Sequence, residues 1–153
     1  MTQFASQTSV SNDRSRAEIK RTLRRYGADT FGYVSEPQRA IVAFQAWGRR
    51  VKFELPMPDP DSKEFTHTPA RSTRRSALQA HDAWEQACRA KWRALNLCVK
   101  AKLEAVESGI TTFESEFMAH IVLPDGRTVG EHASPMIERA YATGTTPPLL
   151  GNF

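Results

Sequence analysis

The sequence predicts an α+β fold: an N-terminal helix, a three-stranded antiparallel meander, one long helix and a C-terminal helical segment. Two observations carry this. Between residues 31 and 55 the apolar residues form short β-branched and aromatic runs, whereas from Trp84 to Val106 they recur every three or four residues. Strand-like and helix-like periods thus occupy separate blocks of the chain, the mark of an α+β domain rather than an alternating α/β one. With 153 residues the chain suffices for one domain with a real core.

Residues 1–12 are rich in Ser, Thr and Gln and read as a flexible tail, which leaves residues 13–144 as the domain. "SRAEIKRTLRRYG" reads as a helix, with a capping box at Ser15 and Glu18 and a C-terminal cap at Gly27. Ile19, Leu23 and Tyr26 share its apolar stripe, and Arg14, Arg16, Lys20, Arg21, Arg24 and Arg25 cover most of the remaining arc. The segments "FGYV", "RAIVAFQA" and "RRVKFEL" read as strands, joined by turns at Glu36-Pro37-Gln38 and Trp47-Gly48. The second is apolar on both faces and therefore central. The third sets Val51, Phe53 and Leu55 against Arg50, Lys52 and Glu54, so one of its faces is wet. Pro56, Pro58 and Pro60 end it by removing backbone donors.

Residues 56–75 show no periodicity and read as a mobile basic loop that closes on Arg71, Arg74 and Arg75. From Ser76 to Ser108 the stripe Trp84, Cys88, Trp92, Leu95, Val99, Leu103 and Val106 predicts the long helix, with no Gly or Pro before Gly109. Such a helix, roughly 32 residues and ~48 Å, outruns what a domain this size covers, so part of it projects, bends or meets a second chain. Self-association through it is one outcome. Cys88 and Cys98 lie ~15 Å apart along the helix and cannot bridge, which suits structural thiols in a reducing compartment.

Beyond Gly109, "TTFESEFMAHI" opens with a capping box at Thr111 and Glu114 and places Phe113, Phe117 and Ile121 on one stripe. "LPDGR" is a turn. "TVGEHASPMIERAYATG" repeats the capping signature at Thr128 and Glu131, aligns Ile137, Ala140 and Tyr141, and ends on Gly144. Helices are the preferred reading of residues 111–142. A short hairpin of "AHIVL" and "RTVGE" around Asp125-Gly126 competes with it. Residues 145–153 read as an extended tail.

Charge narrows the function. Residues 1–103 hold 19 Lys and Arg against 10 Asp and Glu, and residues 104–153 hold 2 against 7, so the two parts present opposite surfaces. Four cationic clusters fall in the first part: Arg21, Arg24 and Arg25; Arg49, Arg50 and Lys52; Arg71, Arg74 and Arg75; and Arg89, Arg93 and Lys100. Many guanidinium and ammonium groups on one scaffold are what phosphate neutralisation requires, so nucleic acid is the expected partner. Tyr33 or Trp47 can stack on an unpaired base. Trp47 and Trp84 are candidate anchors for a partner protein.

No glycine-rich phosphate loop, GxSxG, HExxH or paired CxxC occurs, so neither an enzyme nor a cofactor is expected. Glu116, His120, Glu131 and His132 lack the spacing of a metal centre. The segment "MTQFASQTSVSND" has no basic or apolar signal region, and no run approaches the ~20 apolar residues of a membrane span. A cytoplasmic protein with no membrane partner is expected.

The blocks "RTLRRYGAD", "RAIVAFQAWGRRVKFELPMPD", "WRALNLCVKAKLEAVESGITTFESEFMAHIVLPDGRTVGE" and "IERAYATGTTPPLL" resemble a family of small proteins encoded by phages and prophages. The likeness covers about residues 15–150 and carries over no catalytic or binding residue. It implies a bacterial host cytoplasm and a role in phage DNA metabolism; with the basic clusters, the expectation is a protein of phage replication or recombination that handles DNA rather than RNA, single strands included. The alternative it implies is an anti-defence inhibitor that contacts a host protein.

Overall fold

The computed structural model describes the backbone of residues 3–147 and the side chains of residues 13–147. The predicted α+β arrangement is present: α1 (Gln3–Arg25), β1 (Thr30–Ser35), β2 (Arg39–Ala46), β3 (Arg49–Pro56), α2 (Lys63–Thr66), α3 (Ala77–Glu107), α4 (Phe113–Phe117), a 3-10 turn (Met118–His120) and α5 (Val129–Thr143). The sheet has the order β1-β2-β3, antiparallel throughout, with β2 central. Its hairpin turn seats both Trp47 (φ 49) and Gly48 (φ 72) in the left-handed region, the geometry that matches the twist of the flanking strands.

Strand alternation divides the sheet. Ala40, Val42, Phe44 and Ala46 of β2, with Val51, Phe53 and Leu55 of β3, are buried under the helices. Ile19 and Leu23 of α1, Trp92, Leu95, Val99 and Leu103 of α3, and Phe113 and Phe117 of α4 complete one core. Phe117 is fully buried and meets Phe44 (5.8 Å) and Phe53 (6.3 Å) edge-on. The opposite face, with Gly32, Val34, Ala43, Arg50 and Glu54, is exposed. Beyond β3 the ladder is extended by a bridge from Val51 to Ile121, with Val122 N–H donating to the Arg50 carbonyl (2.8 Å).

The long helix matches the sequence closely. Ser76 and Gln79 form its capping box and Ser108 closes it. α1 and α3 run in the same direction, because their contacts advance together: Arg16 lies over the Trp92 ring (5.3 Å), and ten residues later Tyr26 donates its hydroxyl to Glu104 (2.8 Å).

Four local expectations come out differently. α1 already begins at Gln3, so Ser15 and Glu18 lie inside it instead of capping it, and residues 3–12 are helical where a tail was expected; residues 1–2 are outside the described part. Residues 56–75 carry the helical turn α2, capped by Ser62, and a bridge between His67 and Arg74. Burial of Phe65 and two hydrogen bonds from the Arg75 guanidinium to the Glu64 and Phe65 carbonyls (3.3 and 3.0 Å) hold that segment. The cap of α4 is Thr112, which accepts from Ser115 N–H, rather than Thr111. Between α4 and α5 both readings hold in part: helices flank a bridge from Val122 to Thr128 around Asp125-Gly126, and Thr128 with Glu131 caps α5 as expected. Of the expected extended tail, residues 148–153 are outside the described part.

Candidate nucleic-acid interface

The parallel helices bring cations from distant sequence together. Arg21 and Arg25 of α1 and Lys100 of α3 line one cleft of about 240 Å³, with Glu18 and Thr22. Arg21 and Arg25 are one turn apart, hence on one face. Arg14 lies seven residues before Arg21, and Arg93 seven before Lys100; seven residues are close to two turns, so each pair shares a stripe. The stripes form a track of five exposed cations, ~16 Å along α1, with the carboxylate of Glu18 among them and that of Glu104 at its end. None of the five is in an ion pair among the described residues.

Arg25 is held in place. Its guanidinium lies over the Tyr26 ring (5.1 Å) and donates to the Tyr26 hydroxyl (3.3 Å), which in turn donates to Glu104. Such a relay limits the freedom that a long cationic side chain otherwise loses on binding. It leaves the guanidinium at the cleft and commits the carboxylate of Glu104 to the tyrosine.

The remaining predicted cations divide into free and committed. Arg24 faces the other way on α1, toward Thr30 and Phe31, beside Lys20. Arg49 is paired with Glu114 (3.1 Å), Lys52 with Glu131 (3.8 Å) and Arg89 with the buried carboxylate of Glu85 (3.7 Å). Arg75 serves the two carbonyls below it. Arg50 is exposed on the open sheet face and, with Lys52, Gln45 and Gly126, lines a hollow of about 490 Å³. Arg71 and Arg74 are exposed in the segment before α3 and do not line the cleft. The twelve cations of the four clusters therefore do not form one surface: Arg21, Arg25, Arg93 and Lys100 gather, and they are joined by Arg14, a cation of the first helix's arc outside those clusters that the seven-residue step aligns with Arg21.

Each aromatic candidate makes a contact within the fold. Tyr33 meets Trp92 edge-on (6.3 Å) and carries the Arg16 guanidinium over its ring (4.4 Å), so one face is covered, although 44% of the residue remains exposed. Trp47 packs against Phe113 (4.6 Å), although half of it remains exposed. Trp84 is half-buried and donates its indole N–H to the Pro58 carbonyl (2.8 Å), tying the proline segment to α3.

Several titratable groups elsewhere pack or pair within the fold. Burial pushes the Cys88 thiol up to about 11, which keeps it protonated and unreactive. His120 stacks on Phe53 (4.1 Å) and Glu116 pairs with Lys102 (3.2 Å). Among the described residues no group of three or more His, Cys, Asp or Glu side chains is arranged to hold a metal ion, and no helix is long and apolar enough to cross a membrane. Comparison with protein-family models, curated proteins and solved structures finds no match to this chain.

Proposed function

We propose that this chain is a nucleic-acid-binding protein without catalytic activity, and that it neutralises backbone phosphates along the α1/α3 track. The observation that carries the reading is the convergence of Arg21, Arg25 and Lys100 on one cleft from helices far apart in sequence. Cations gathered by tertiary structure, none of them in an ion pair among the described residues, suit a polymer bound through its backbone phosphates. The phage context implied by the resemblance makes DNA, in replication or recombination, the expected polymer.

Gel-shift titration of a mixed-sequence oligonucleotide across salt concentrations tests this. Five phosphate contacts give a slope of log K against log salt of about −3.5 for a single strand and about −4.5 for a duplex. Replacing Arg21 and Arg25 together by Glu should abolish most of the binding and reduce the slope by more than about 1. A salt-independent shift, or a double variant that binds as the parent does, rejects the reading.

A further inference from the structure

β1 is an edge strand whose outer side has no partner among the described residues. Glu36 N–H donates to the Arg39 carbonyl (2.8 Å), which fixes the alternation of the β1/β2 ladder: Val34, Gly32 and Thr30 turn their backbone groups toward β2. Phe31, Tyr33 and Ser35 consequently present N–H and C=O outward. An added strand requires such a row of evenly spaced donors and acceptors.

Helix α1 forms the other wall. Two recesses of about 430 and 230 Å³ lie end to end between it and β1; Lys20 and Phe31 line both, Arg16 and Tyr33 the larger, Arg24 and Thr30 the smaller. Asp13 and Asp29 are the acidic residues in these walls, and Asp13 is paired with Arg16. Lys20 and Arg24 have no ion-pair partner among the described residues. Gly32 opens the middle of the strand, with nothing within 4 Å of where a side chain would begin.

We propose that this groove takes an extended acidic peptide segment of a partner protein as a fourth strand, paired to Phe31, Tyr33 and Ser35, with its carboxylates on Lys20 and Arg24. Charge selects this occupant over a second copy of the chain. A two-fold pairing of β1 with itself would set the Lys20 and Arg24 row of one copy against the same row of the other. A peptide carrying carboxylates at alternate positions meets both the row of backbone groups and the cations. The proposal uses a groove separate from the α1/α3 cleft: around α1, Lys20 and Arg24 lie about 100° from Arg21 and Arg25.

The test uses the full chain and a fluorescein-labelled peptide of about twelve residues alternating Glu with Val or Thr, long enough to span β1 with flanks. Two further peptides carry backbone N-methyl groups on one alternate set of residues or on the other, with the charge unchanged. Anisotropy titrations should show one methylated set binding about tenfold or more weakly than the parent and the other set binding like it, since only one set donates to the edge. Amide resonances of Phe31, Tyr33 and Ser35 should shift on titration. Ser35→Pro, which removes one outward N–H and leaves the β2 ladder intact, should weaken binding with an unchanged melting temperature.

Equal binding of both methylated sets reduces the effect to charge attraction and overturns the proposal, as does a failure of the parent peptide to bind. An oligonucleotide that displaces the peptide and moves the same three amides would assign the groove to nucleic acid instead. Arg21→Glu with Arg25→Glu should leave peptide affinity within about twofold, so loss of the cleft and loss of the groove are read separately.

Discussion

His120 joins the packing of this protein to pH. Burial first, and the charge of Lys102 second, lower its pKa below the ordinary 6.5. The unfolded chain then binds a proton more readily than the folded one, so stability is complete above pH 6.5 and falls as pH drops through that value. Urea unfolding at a series of pH values should show this decline, by no more than uptake of one proton allows, and His120→Gln should flatten it. Asp125 and Glu131 act in another window. Hydrogen bonds from the Arg127 and Thr128 backbone lower their pKa from 3.8 and 4.5, so the stability they add is present above those values and is lost only in stronger acid.

Elements with strong local signals were legible in the sequence, and elements held by tertiary contacts were not. α3 is bounded by Ser76 and Ser108 because its apolar period and the Gly109 that follows it are local signals; its Ser76–Gln79 capping box is a further local signal that sequence alone also carries. The start of α1 was missed because the polar residues before Ser15 show no stripe. α2 was missed because a four-residue helix is too short for a period, and Arg75, ten residues beyond Phe65, holds it. α5 combines a strong local signal with little packing: its capping box and Gly144 fix its ends, yet none of its residues is buried, and Ile137 and Tyr141 are exposed. Hydrogen exchange should therefore find the second half of α5 protected at least about a hundredfold less than the centre of α3. Thr128→Ala should destabilise α5 further, by about 1 kcal/mol.

At the scale of the molecule, the sequence shows how many cations there are and the fold decides which remain available. Glu114 lies 65 residues from Arg49, and no local pattern announces their pairing. Through Arg49, Lys52 and Lys102 the acidic C-terminal part closes on the basic part, and the available charge shrinks toward the α1/α3 track. Glu114→Gln with Glu131→Gln should release Arg49 and Lys52. If they join the interface, the salt slope for a single strand steepens by up to about 1.4 in the same gel-shift titration; an unchanged slope would confine binding to the two helices.

The shared direction of α1 and α3 has a kinetic consequence. Tyr26 and Glu104 are 78 residues apart, and the chain between them must traverse the whole sheet before the second helix can lie alongside the first. Closing so long a loop is slow compared with forming either helix or the hairpins. During synthesis the first helix leaves the ribosome long before Lys100 does, so its arginines emerge on an unpartnered helix and meet Lys100 only when that part of the chain has followed.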